Sequence, residues 1–260
     1  MRKSITIVLV FFIVSTIWAQ NKTPKSIYII YIGNSITQGV QIEKPEENAP
    51  PIRANNYLSE QPGIELRGFS NQGVSGMTTI DFLPAQQTLF SKVSDTAKPF
   101  ANDEKTTLIF SIMLGTNDSA IKGPNGSPVL PAQYSTNIQA IINELLTLYP
   151  RAIFVLHRPI WYSPNTYNRA MYLQEGLNRL ISYSDELNRL ISIYAQTHPK
   201  QVFFGDREAF DFFKTNYHTE LIPEKGNAGT FYLHPNQSGA AKLGIFWGKA
   251  IYKIIKESQL

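Results

Sequence analysis

Cysteine is absent from the chain, so nothing in it depends on disulfides, and cysteine-based metal sites and thiol nucleophiles are excluded. Histidine is scarce: His157, His198, His218 and His234 are the only groups with an ordinary pKa suited to proton transfer near neutral pH. No His, Asp and Glu residues cluster at a metal-ligand spacing, and no cofactor is expected. Charge of one sign is lacking too. The 24 Lys and Arg against 20 Asp and Glu leave +4, too little to imply a nucleic-acid partner.

Long hydrophobic runs are missing after the first twenty residues. The opening "MRKSITIVLVFFIVSTIWAQ" has Arg2 and Lys3, an apolar stretch over residues 5–18, then Ala19. A membrane span needs roughly 20 apolar residues, and this run is shorter, so residues 1–19 read as a signal peptide rather than a retained anchor. Export to the periplasm or beyond is expected, with no stable membrane insertion once the segment is cleaved. Its loss removes two of the 24 basic residues and none of the 20 acidic ones, so the charge falls from +4 to +2. With 43% hydrophobic residues and no linker rich in Gly, Ser or Pro, residues 20–260 are expected to form one globular domain.

What is present is a regular alternation. Apolar runs with β-branched or aromatic character at residues 27–32, 64–68, 107–114, 152–156 and 201–205 predict strands. Segments of helical period follow at 134–149, 172–197 and 238–257. "LNRLIS" occurs twice, ten residues apart, and reads as one long amphipathic helix reusing its pattern rather than as a repeat architecture. Alternation with near-continuous apolar strands predicts a three-layer α/β/α sandwich around a mostly parallel sheet. In such folds ligands bind beyond the carboxyl ends of the strands.

Ser35 stands just past the first strand, in "YIIYIGNSITQGVQ". A phosphate-cradling loop is unsupported, because Gln38 stands where its closing Gly-Lys pair begins. The GxSxG elbow of α/β-hydrolases fails as well, since Thr37 occupies the second glycine's place. Four separated blocks fit something else: "IGNSITQG" with Ser35, "NQGVSG" with Gly73, "LGTNDS" with Asn117, and "LHPNQSG" with His234 ahead of the last helix.

In order and placement these blocks resemble the SGNH, or GDSL-like, hydrolases, over about residues 27–255. The resemblance implies a flavodoxin-like fold and an esterase in which Ser35 is the nucleophile and His234 its base. It also implies an oxyanion hole from the backbone N–H groups of Ser35 and Gly73 with the Asn117 side chain. Two departures stand out. Asn34 replaces the family's usual aspartate before the serine, which should change loop hydrogen bonding without ending activity. Phe231 occupies the place of the family's triad acid, three residues before the histidine.

A histidine base needs a group that accepts its Nδ1–H and fixes its tautomer. Asp206, following the 201–205 strand, is one candidate acid, although "GDREAFDFF" equally suits a helix cap. The sequence favours the cap, and hence a Ser–His dyad supported by main chain. Glu220 and Glu224, before His234, are the remaining candidates. The segment "HRPIWYSPNTYNRAMY" gathers Arg158, Trp161, Tyr162 and Arg169, whose aromatic faces and cations suit a sugar or its carboxylate; packing into the core is the alternative. By resemblance the substrate is an acetyl ester of a carbohydrate, such as a sialic acid or plant polysaccharide. A lipid esterase, and a non-catalytic glycan-binding protein on the same fold, are the competing expectations.

Overall fold

The computed structural model describes residues 23–123 and 125–257, so the expected signal peptide lies outside the described residues. Five strands, β1 (Lys25–Gly33), β2 (Ile64–Gly73), β3 (Thr106–Met113), β4 (Ile153–Leu156) and β5 (Val202–Phe204), form one parallel sheet in the order β2-β1-β3-β4-β5. This is the flavodoxin-like order, with its switch point beside β1. The strands form where the sequence is apolar on both faces: β3 and β4 are buried almost throughout, while edge strand β2 alternates in exposure.

Helices α1 (Ser35–Gln38), α2 (Pro45–Asn48), α3 (Pro50–Ser59), α4 (Thr88–Ala97), α5 (Pro131–Leu148), α6 (Leu173–Thr197), α7 (Ala209–Glu220) and α8 (Gln237–Glu257) accompany the sheet. Each long helix buries one stripe: Ile138, Ile141, Ile142 and Leu145 on α5; Leu177, Leu180, Leu187 and Leu190 on α6; Leu243, Trp247 and Ile251 on α8. Both copies of "LNRLIS" lie within α6, as the periodicity implied.

The expected strands and the three long helices are all present, and β2 runs on to Gly73. The sequence reading did not anticipate α3, α4 or a separate two-stranded antiparallel sheet made of β6 (Leu221–Gly226) and β7 (Gly229–Pro235). His234 lies on β7, just ahead of α8. Across the main sheet Gly33 is abreast of both Gly73 and Met113, so the segments after β1, β2 and β3 leave one edge side by side.

Candidate active site

At the end of β1 the chain turns sharply into α1. Asn34 caps that helix, its Oδ1 accepting the Ile36 N–H at 3.1 Å, a bond that the usual aspartate would accept equally. Ser35 is the first helical residue, so its own N–H has no intrahelical acceptor. Ser35 is 7% exposed, and its Oγ lies 3.0 Å from His234 Nε2.

Beyond the imidazole the partner is Glu224. Its Oε1 is 2.9 Å from His234 Nδ1 and also accepts the His234 backbone N–H at 3.3 Å. Burial pushes the Glu224 carboxyl up, but hydrogen bonds and charge from His234, then a hydrogen bond from Gln41, outweigh it and leave the group below its ordinary value. An ionised Glu224 requires a proton on Nδ1, which leaves Nε2 bare to accept the Ser35 hydroxyl. Ser35, His234 and Glu224 thus stand in series, in the tautomer a nucleophilic serine needs.

The expectation of a dyad backed by main chain, with Asp206 as the alternative acid, is therefore corrected. Asp206 faces elsewhere: its carboxylate accepts the Glu208 N–H at 3.0 Å and the Ala209 N–H at 3.2 Å, the cap reading of "GDREAF". Its own N–H donates at 2.9 Å to Nδ1 of the buried His157, whose Nε2–H donates to Ser111 Oγ at 2.9 Å. Burial holds His157 neutral by pulling its pKa down to about 3, and pushes Asp206 up to about 6.

Glycine at position 73 is required by space. A Cβ there would sit 2.4 Å from Gln38 N, against the serine-bearing turn. Its N–H, however, donates to Asn71 Oδ1 at 2.9 Å and is committed, against the expected oxyanion role. The next N–H groups are committed too: Val74 to Gly33 O, Ser75 to Gln38 Oε1 and Met77 to Val74 O. Gly76 is the residue of this loop whose N–H has no acceptor among the described residues, and its φ of +81° favours glycine. Asn117 reaches the same loop, donating from Nδ2 to Met77 O at 2.9 Å, while Tyr172 Oη–H donates to Asn117 Oδ1 at 2.8 Å. The tyrosine fixes which way the amide faces, and one Nδ2 hydrogen is left over.

The segment expected to bind sugar mostly packs instead. Trp161 is 7% exposed against Tyr217, Tyr162 is wholly buried with its hydroxyl 2.9 Å from Ser119 Oγ, and Arg158 lies over the Phe210 ring beside Asp211. Arg169 is exposed. The loop's polar groups hold the hairpin that carries Glu224 and His234. Ser163 N–H donates to Tyr232 O, Tyr232 N–H to Ser163 Oγ, Asn227 N–H to Tyr167 O, and Asn165 Nδ2 to Thr230 O. Among the described residues no group of three or more His, Asp or Glu could hold a metal, and no helix is long and apolar enough to cross a membrane.

Gln41 and Gly76 were not singled out as site residues from the sequence, and Glu224 stood only among the remaining candidate acids, placed in a loop before His234. For Glu224 the signal was available: "GNAG" at 226–229 can close a hairpin, and pairing its arms puts Glu224 opposite Phe231.

A flavodoxin-like parallel sheet with a buried serine, an imidazole and a carboxylate aligned at its carboxyl edge defines the fold class of the SGNH hydrolases. Residues 31–242 match the GDSL-like lipase/acylhydrolase family, and the chain belongs to it, which makes it a carboxylic ester hydrolase. Solved structures of similar fold include a carbohydrate acetylesterase from Sinorhizobium meliloti, 18% identical with a TM-score of 0.57, covering 87% of this chain and 99% of that one. An acetylxylan esterase from Geobacillus stearothermophilus is 18% identical with a TM-score of 0.56, covering 90% and 96%. An aryl esterase of M. smegmatis is 16% identical with a TM-score of 0.55, covering 88% and 100%. No curated protein matches the sequence.

Proposed function

We propose that the protein is an exported serine esterase that removes O-acetyl groups from carbohydrates, using Ser35, His234 and Glu224 as its triad. The series from Ser35 Oγ through His234 to Glu224 Oε1 carries this reading. His234 Nε2 takes the Ser35 proton as Oγ bonds to the ester carbonyl carbon. The oxyanion is met by the Ser35 and Gly76 N–H groups and the spare Nδ2 hydrogen of Asn117. Collapse breaks the carbon–oxygen bond to the sugar, whose leaving oxygen takes the proton from His234. Water, deprotonated by the same imidazole, then releases acetate and restores Ser35.

The carbohydrate part of the reading draws on the fold relatives named as acetylesterases and on the polar residues Gln41, Ser75 and Asn125, exposed on the loops around the site. Export draws on the first nineteen residues, and intact mass of protein secreted from a native-like host tests it; retention of residues 1–19 would overturn it.

The chemistry is tested with acetate, butyrate and octanoate esters of one chromophore, and with acetate release from O-acetylated sialic acid and acetylated xylan. Ser35→Ala should abolish all turnover. Specificity constants should fall with chain length. A lipid-binding enzyme would instead gain about 0.8 kcal/mol per buried methylene, so a steep rise toward octanoate points to the lipid-esterase alternative.

A further inference from the structure

Gln41 follows the serine-bearing helix and is exposed, yet its amide is engaged. Nε2 donates to Glu224 Oε2 at 2.8 Å and stands 3.2 Å from His234 Nδ1. Its backbone has φ of +67°, the left-handed region that residues with a Cβ seldom occupy. Such a conformation persists where the surroundings demand it, and a residue held there by a side-chain contact 183 positions away has a role beyond turning the chain.

From this geometry we infer that Gln41 is a positioning residue, which acts through Glu224 by fixing the carboxylate so that Oε1 is presented to His234 Nδ1. The inference rests on the triad reading above.

Two facts about the contact support it. With Oε1 directed at the imidazole, Oε2 is free to pivot unless a donor holds it, and among the described residues the donor at Oε2 is Gln41. Gln41 is also anchored close to the nucleophile. Gly39 and Val40 N–H groups both donate to Ser35 O, so the turn that delivers the amide is hydrogen-bonded to the serine residue itself. The amide therefore ties the hairpin bearing acid and base to the turn bearing the nucleophile. When Nδ1 carries its proton it faces Glu224 Oε1, and the Gln41 N–H is taken up by Oε2 rather than competing for the ring nitrogen.

Gln41→Gly, Gln41→Met and Glu224→Gln separate this role from a structural one. Glycine is the residue the φ of +67° prefers, so a residue serving only the turn would lose nothing on becoming glycine. We expect Gln41→Gly to keep or raise the thermal midpoint while kcat on a chromogenic acetate falls about 10-fold and KM stays within about 2-fold, a part of what general-base catalysis supplies. Gln41→Met, which keeps length and removes the donor, should lose as much kcat. Wild-type kcat in both variants, with Glu224→Gln inactive, would overturn the inference and leave the triad standing. Full activity in Glu224→Gln would instead overturn the triad reading.

Discussion

Glu224 and Phe231 are directly opposed across the β6–β7 hairpin. Residues so paired lie on the same face with Cβ atoms about 5 Å apart, so a carboxylate on one strand reaches much of the space available from the other. The apolar residue in the family's acid position is thus answered by a carboxylate on the neighbouring strand, and His234 on β7 keeps a carboxylate partner.

Replacing Glu224 by Gln should lower kcat toward the roughly 10⁴-fold loss seen when a triad acid is neutralised, because the amide no longer demands a proton on Nδ1. Asp206→Asn should leave turnover almost untouched. Steady-state hydrolysis of a chromogenic acetate by both variants decides between them, and a larger loss in the Asp206 variant would reverse the assignment.

Tyr172→Phe removes the hydroxyl that holds Asn117 Oδ1 and frees the amide to rotate. Burial, then the nearby charges of Glu224 and Asp118, push the phenol well above its ordinary value, so the hydroxyl is a donor at every working pH. We expect kcat to fall about 5-fold to 10-fold with KM unchanged, the kinetic worth of a hydrogen bond of about 1 kcal/mol. Asn117→Ala should cost more, roughly 100-fold. Equal kcat in wild type and Tyr172→Phe would show that the amide orients itself.

His157 makes the fold sensitive to acid. In the folded chain it stays neutral down to about pH 3, whereas in the unfolded chain it takes a proton near its ordinary 6.5. The unfolded state therefore binds more protons between these values, and this contribution to stability is lost as pH falls through that window. Asp118 and Asp206, with pKa values raised to about 6 chiefly by burial, act in the opposite sense, so the comparison must be differential. Urea unfolding of wild type and His157→Gln from pH 7 to pH 4 should show wild type losing more stability; parallel curves would contradict the argument.

Gly73→Ala should damage the site without touching a reacting group. The added methyl meets Gln38 N and the Thr37 carbonyl carbon, which are backbone atoms unable to step aside, so the serine turn must move. Activity should fall further than the thermal midpoint suggests, while Gly63→Ala, where a Cβ meets nothing within 4 Å but φ is +79°, should cost only stability. Melting and turnover of the two variants make the contrast, and full activity in Gly73→Ala would show that the turn absorbs the methyl.

The parallel sheet was legible because β1, β3 and β4 are apolar on both faces, and α5, α6 and α8 because their buried stripes repeat with helical period. Helix α3 was hidden by two opening prolines and a polar sequence. The hairpin was obscured by Pro223 within its first strand, so Glu224 stood only as one of several candidate acids. Its pairing with His234 is a tertiary contact that no motif around the histidine records. The aromatic segment after β4 admitted two readings from the sequence, sugar binding and core packing, and for Trp161 and Tyr162 burial decides for the core.

Ser35 and His234 are 199 residues apart, one on the first turn after β1 and the other on the last strand before α8. A ribosome delivers these ends in order, so a growing chain carries Ser35 through almost all of synthesis without the imidazole it meets in the fold. On the proposed triad, ester hydrolysis is consequently a readout of the finished chain. In refolding it will return only when the two ends meet, a closure of long sequence separation that belongs among the slower steps of folding.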